Sequence, residues 1–265
     1  MVNSAEPLEN ADIETASEGY AQRFSGPIGM WMLQCQTRIV LNMLKDTPRS
    51  AVLDIGGGHA QLARPLVEAG FSVTVHGSAP ECAVRIGDLV DSGSCQFVCG
   101  PILTLPFKSA STETVLCFRL ITHCTEWEKL ISELCRVATR RIIIDYPTSL
   151  SLNVISGGLF SFKKKLEGNT RTWRLFKPQE LEAVFQRHGF RCKRQQKQFF
   201  LPMVLHRVLR CPTLSAILEG ICRSLGLTRL WGSPVIMELE RGEKLKTEMD
   251  CGERNGTHES RVQTF

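Results

Sequence analysis

The run Val52-Leu53-Asp54-Ile55-Gly56-Gly57-Gly58-His59-Ala60 constrains this chain more than any other stretch. Its apolar half, Ala51 to Ile55, reads as a buried strand that ends beside a carboxylate. The glycines make a tight turn, and the residues after them open a helix. A strand, turn and helix in this order form the ligand crevice at the carboxyl edge of an open α/β sheet. Bare main chain is needed there because any side chain would hold a ligand away from the backbone.

The rest of the sequence keeps this rhythm. Strands are expected at Phe71 to His76, Cys95 to Cys99, Thr114 to Phe118 and Arg141 to Tyr146, the last a β-branched run suited to burial on both faces. Between them, helices are expected from Ala60 to Ala69, Pro80 to Leu89 and Glu126 to Val137, with Thr125 and Glu128 forming a capping box for the third. A helix from Pro178 to His188, strands from Arg191 to Phe200 and Ser233 to Glu240, and apolar helices from Met203 to Leu209 and Leu214 to Leu225 complete the pattern. Ahead of the first strand, a short helix stops at Gly26-Pro27 and a longer one runs from Met30 to Leu44. This predicts an α/β, doubly wound, Rossmann-like sheet of seven strands, mixed in direction, with an N-terminal helical lid. The expected boundaries are a flexible terminus over 1–18, one domain over 19–241 with helical insertions near 147–177 and 202–232, and a disordered tail over 242–265.

No apolar run is long enough to span a bilayer and no secretory h-region is visible at Met1 to Ala11, so a cytoplasmic protein is expected. The 11 cysteines are scattered without a Cys-x-x-Cys pair, which suits small buried thiols rather than disulfides or a metal site. Charge is uneven. Residues 1–150 hold 12 basic and 16 acidic side chains, residues 151–241 hold 16 and 6, and the tail holds 4 and 5. The basic half suits an anionic substrate, an acidic membrane surface or a solvated helix face.

The glycine loop discriminates between ligands. A dinucleotide site wants Gly-x-Gly-x-x-Gly, but Gln61 holds the last position, and Asp54 would repel a pyrophosphate. The acidic-x-Gly-x-Gly pattern instead resembles the first motif of the class I S-adenosylmethionine (SAM) methyltransferases. Leu105-Pro106-Phe107 after the third strand, Glu113-Thr114-Val115 before the fourth, His123 after it and Leu134-Cys135-Arg136-Val137 at a helix end extend the likeness to the type 11 group over residues 51–146. The resemblance implies SAM as cofactor, cradled by Asp54, Gly56, Gly57 and Gly58, with Ser78, Ile102 and Leu120 as walls and Arg23 of the lid on the methionine carboxylate. It also implies an acid at the end of the second strand for the ribose hydroxyls. Here the chain reads His76-Gly77-Ser78, and Gly100-Pro101-Ile102 offers only backbone to the adenine.

Methyl transfer from a sulfonium needs alignment more than side-chain chemistry, with a base only where the acceptor carries a proton. His123 is the candidate base and Tyr146 a candidate to orient the acceptor; a loop histidine and a core tyrosine are the alternatives. Arg119 either binds an anion or pairs with Glu126. The insertions combine Phe160, Phe162, Phe199, Phe200, Pro202 and Met203 with Lys163, Lys164, Lys165, Arg171 and Arg174. Such a mixture suits a small lipid-like or anionic acceptor, or a shallow peripheral membrane contact. No metal is expected, and no nucleic-acid reading motif is present. Two rivals stand beside the methyltransferase: a catalytically degenerate binding module of the same fold, which the missing ribose acid favours, and an NAD-dependent oxidoreductase.

Overall fold

The computed structural model describes residues 9–47, 49–151 and 173–242. Seven strands form one sheet: β1 (Ala51–Ile55), β2 (Ser72–Gly77), β3 (Cys95–Cys99), β4 (Thr112–Cys117), β5 (Ala138–Tyr146), β6 (Phe190–Phe199) and β7 (Ser233–Arg241). Their order is β3-β2-β1-β4-β5-β7-β6, and β7 runs antiparallel to both its neighbours. β6 therefore points the same way as β5. The mixed seven-stranded sheet read from the sequence is the one observed. Central β1 pairs with β2 and β4, placing Asp54 opposite Val75 and Leu116.

Alternate residues of each strand supply two cores. Leu53, Ile55, Val115, Ile142 and Ile144 pack with α6 (Trp127–Val137) and α7 (Pro178–Arg187) on one face. Val52, Val75, Leu116 and Ile143 pack with α3 (Gly26–Leu44), α4 (Ala63–Glu68) and α5 (Gly87–Asp91) on the other. Burial on both faces is why these strands lack polar alternation. Two sequence motifs meet in one clamp: Arg136 donates to the carbonyls of Leu105 (2.9 Å) and Phe107 (2.7 Å), while Glu133 accepts from the Leu105 amide (2.7 Å). The Leu-Pro-Phe loop is thus tied to the end of α6.

Several boundaries move for local reasons. Gly26-Pro27 begins α3 instead of interrupting it, with Pro27 in the first turn where its missing N–H costs nothing. After the glycine loop a short 3-10 turn, Gly57–His59, precedes α4, and Pro80–Ile86 is a 3-10 stretch leading into α5. The capping box does not form: Glu126 is the N-cap without a side-chain cap bond, and the Thr125 amide donates to Glu9 at 2.8 Å. Residues 11–18, expected to be loose, build α1 (Ala11–Ala16), which buries Ala11, Asp12, Thr15 and Ala16, and open α2 (Glu18–Ala21). The second insertion holds α8 (Met203–Leu209), α9 (Pro212–Ser224) and an unforeseen α10 (Leu227–Trp231). A bridge between Thr148 and Phe176 closes the base of the first insertion. Its Phe160, Phe162, Lys163, Lys164, Lys165 and Arg171 lie outside the described residues, as does the tail beyond 242.

The β5 run hides a charge. Arg141 is fully buried and pairs with Glu238 on β7 at 3.0 Å, and it also donates to the Met43 carbonyl (2.9 Å) and Thr47 hydroxyl (2.7 Å). Arg194 on β6 reaches the other Glu238 oxygen. This cluster joins α3 to the antiparallel edge. Removing one partner of such a pair strands a buried charge. Glu238→Ala is expected to cost about 3–5 kcal/mol in urea unfolding, and pairing Glu238→Leu with Arg141→Met to recover most of that loss.

Candidate active site

The glycine loop leaves β1 through Gly56 in the left-handed region (φ 71°). At Gly57 a Cβ would lie 2.3 Å from the Asp54 Oδ2, so the turn closes only over bare backbone. Asp54 is 2% exposed, and its Oδ1 has no hydrogen-bond partner among the described residues. Burial, helped by the nearby Asp145 carboxylate, pushes its pKa up to about 7. Burial also raises Asp145, at the end of β5, although its oxygens accept from the Arg119 amide (2.6 Å) and the Gln36 side chain (2.9 Å).

Arg119 follows β4 and holds a left-handed backbone (φ 59°), costly for a side chain of this kind. It does not pair with Glu126. Its guanidinium lies 4.0 Å over the Phe24 ring, donates to Gln36 Oε1 (3.1 Å) and meets His59 Nε2 (3.3 Å). Gln61 donates to the same Gln36 oxygen at 2.6 Å. Burial, with Arg119 and Arg85 nearby, lowers the His59 pKa to about 3. The ring is therefore neutral, and with Nε2 facing a guanidinium donor its proton sits on Nδ1. That Nδ1–H is buried with no partner among the described residues. An orphan acceptor on Asp54 and an orphan donor on His59 thus line one cleft with Gly56, Gly57, Phe118 and Arg119.

The wall residues read from the sequence are present but covered. Ile102 and Leu120 are buried and share a core cluster with Ala11 of α1. Ala16 Cβ lies 2.8 Å from where a Gly58 Cβ would stand. No acid could replace Gly77, whose Cβ would sit 2.4 Å from that of Cys82. A carboxylate arrives there from elsewhere in the chain: Asp12, fully buried, accepts from the Ser78 amide (2.5 Å) and hydroxyl (2.6 Å). Behind α1, Tyr20 and Phe24 stack edge-on against His59 at 5.5 and 5.7 Å. The free space left beside Asp54 is about 10 Å³, room for a single water.

Arg23 lies over the Tyr20 ring (5.3 Å) at the outer side of this cover. His123 is buried in a 3-10 turn, with Tyr20 (6.4 Å) and Trp173 (5.4 Å) edge-on to it, so Tyr20 links it to His59. Tyr146 points into the core against Phe176, its hydroxyl buried without a hydrogen-bond partner among the described residues and its pKa raised by burial, and it does not line the cleft. Sequence reasoning missed Asp12, His59, Gln36 and Gln61. Only His59 carried a local signal, its place directly after the glycines.

Residues 53–141 match a methyltransferase domain family of type 11. Solved structures agree in fold. Magnesium protoporphyrin IX methyltransferase from Synechocystis, with bound SAH, is 19% identical at a TM-score of 0.59, covering 86% of this chain and 96% of that one. A putative methyltransferase from Haloferax volcanii, in complex with the Trm112 activator, is 16% identical at 0.58 and covers 90% and 100%. A putative sarcosine dimethylglycine methyltransferase from Galdieria sulphuraria is 17% identical at 0.56, covering 79% and 85%. No curated protein matches the sequence. Among the described residues no cluster could hold a metal, and no helix is long and apolar enough to cross a membrane.

The Asp54 carboxyl gives the domain a titration signature. Folded, it keeps its proton to about pH 7; unfolded, it loses it near the ordinary carboxylate value of about 4. The native chain binds the extra proton, so this contribution is full below about pH 4 and is lost as pH rises through 7. Asp54→Asn removes the loss. The melting temperature of the variant relative to the parent is expected to rise between pH 5 and 8, and a constant difference would show that Asp54 is ionised throughout.

Proposed function

We propose that this protein transfers a methyl group from SAM to a small organic acceptor, lipid-like or anionic. The observation that carries this reading is the pair of orphaned groups at the bare Gly56-Gly57 main chain. Asp54 Oδ1 accepts and His59 Nδ1–H donates. Together they complement in chemistry a ligand end bearing both an ammonium and a carboxylate. Arg23 of the lid is a second group for the carboxylate. When bound, SAM supplies a methyl on a sulfonium that leaves readily.

The chain's own residues would then hold the cofactor and exclude water. Asp54 would face the positive charge, which would favour its ionised form and lower its raised pKa. Ser78, Ile102 and Leu120 would line the nucleoside half once α1 withdraws from them. His123, behind the Tyr20 ring, is assigned to take the acceptor's proton. Tyr146, held protonated in the core, serves at most to fix the end of β5. The excess of basic side chains over residues 151–241 supports an anionic or amphiphilic acceptor.

The seating of α1 favours a second reading, a binding module that no longer takes up cofactor. A cleft of about 10 Å³ is far below the roughly 300 Å³ of a ligand pocket, so α1 must move for SAM to enter. Calorimetry with S-adenosylhomocysteine separates the two. The full chain is expected to bind it and Asp54→Ala to abolish binding. Asp12→Ala, which unpins α1 from Ser78, is expected to tighten binding about tenfold or more; RT ln 10 is about 1.4 kcal/mol, within reach of two lost charge-assisted hydrogen bonds. Weaker binding in Asp12→Ala would make Asp12 a ribose ligand instead of a pin. Silence from the parent and from Asp12→Ala alike would leave the module reading standing.

A further inference from the structure

The helices between β6 and β7 are built inside out. In α9 the inward residues are Ser215 and Glu219, while Leu214, Ile217 and Ile221 follow one helical stripe into solvent. In α8 the buried residue is His206, and Val208 stands 72% exposed. In α10 Thr228 is buried while Leu230 and Trp231 are exposed. Nine of the 13 exposed large hydrophobic side chains among the described residues fall between 203 and 231.

The inversion is fixed from within. Glu219 accepts from the amides of Phe200 (3.0 Å) and Leu201 (2.9 Å) and meets His206 Nε2 at 3.1 Å. The His206 ring in turn packs against Trp31 of α3 and Phe199. This polar centre holds α8 and α9 against the domain and leaves their apolar sides outward. The charge around that face is of one sign. Glu219 is the single acid between 201 and 232 and is buried, whereas Arg210, Arg223 and Arg229 are exposed beside the apolar residues.

We propose that α8, α9 and α10 form a docking face for an anionic phospholipid surface. Large apolar side chains, a tryptophan and flanking arginines with no exposed carboxylate make up an element that inserts shallowly among headgroups while its cations meet lipid phosphates. Nine exposed large apolar side chains on one short segment mark the kind of surface that meets a partner. Its uniform positive charge speaks against a second copy of the same face, which would bring like charges together. The docking face does not rest on the methyl-transfer reading, since it uses none of the cleft residues.

The test is co-sedimentation of the full chain with vesicles of phosphatidylcholine alone and of phosphatidylcholine mixed with phosphatidylglycerol. Binding is expected to the mixed vesicles, weak or absent on the neutral ones, and reduced by salt. Ile217→Ser, Ile221→Ser and Leu225→Ser together should weaken it about tenfold or more. Since these side chains already face water, the unfolding midpoint should stay the same or rise. Arg210→Glu with Arg223→Glu should abolish the preference for anionic lipid. Absence of vesicle binding overturns the proposal, as does equal binding by the apolar variant. A dimer that the apolar variant dissociates, seen by sedimentation velocity without vesicle binding, overturns it in favour of a second copy. S-adenosylhomocysteine calorimetry on the same variants reads the cleft separately, so failure at either site is visible alone.

Discussion

Two carboxylates, Asp54 and Asp145, end neighbouring parts of the sheet in a place almost without water, and the surrounding structure answers their charge. Coulomb repulsion and desolvation act in the same direction there, so a carboxylate either holds a proton or meets a positive group. Asp145 is met by the Arg119 amide and Gln36, at the cost of a left-handed backbone at Arg119. Asp54 is left with one oxygen unanswered among the described residues. Gly56, Gly57, His59 and Gln61 line the cleft beside this carboxylate. A site of this kind attracts a compact cation and repels a phosphate, which is the physical difference between a methyltransferase cradle and a dinucleotide site.

The sheet and the glycine turn were legible because their signals are local. A β-branched run, a glycine turn and a strand–helix alternation depend on nearest neighbours, and the strands sit within three residues of where the pattern puts them. The Leu-Pro-Phe loop and the Arg136 helix end were legible as separate motifs, but not the hydrogen bonds that join them. What stayed hidden depends on distant contacts. α1 reads as a small polar, acidic terminus because Ala and Thr carry little apolar signal, yet its slight width is what lets it lie against the glycine loop. Asp12 looks like one more surface acid, 66 residues away from the serine it meets. Arg141 lies inside an apolar run, and only the antiparallel arrival of β7 brings Glu238 to it. The capping box failed for a related reason: a distant carboxylate, Glu9, took the amide near the helix start.

Asp12 also changes the meaning of the missing acid on β2. With Gly77 pressed against Cys82, that position cannot carry a carboxylate, and α1 brings one to the same corner. On the proposed function, an element that satisfies the Ser78 donors while packing with Ile102 and Leu120 would compete with a nucleoside for the same surface. Cofactor uptake and the docking of this helix would then be linked equilibria: whatever frees the helix would raise affinity for the ligand, and the ligand would free the helix. Such linkage makes the order of events measurable, since helix release ahead of binding would give an association rate that saturates with ligand concentration.

The direction of β6 has a geometric consequence. Because β6, across β7, runs in the same sense as β5, the chain leaves it at the edge of the sheet where Asp54 and Asp145 lie, and α8 to α10 hang from that edge. A bilayer beneath these helices would lie next to the mouth of the cleft. An acceptor dissolved in the leaflet would then reach the methyl group by sideways diffusion within a plane, and turnover would follow its abundance per lipid instead of its solubility in water.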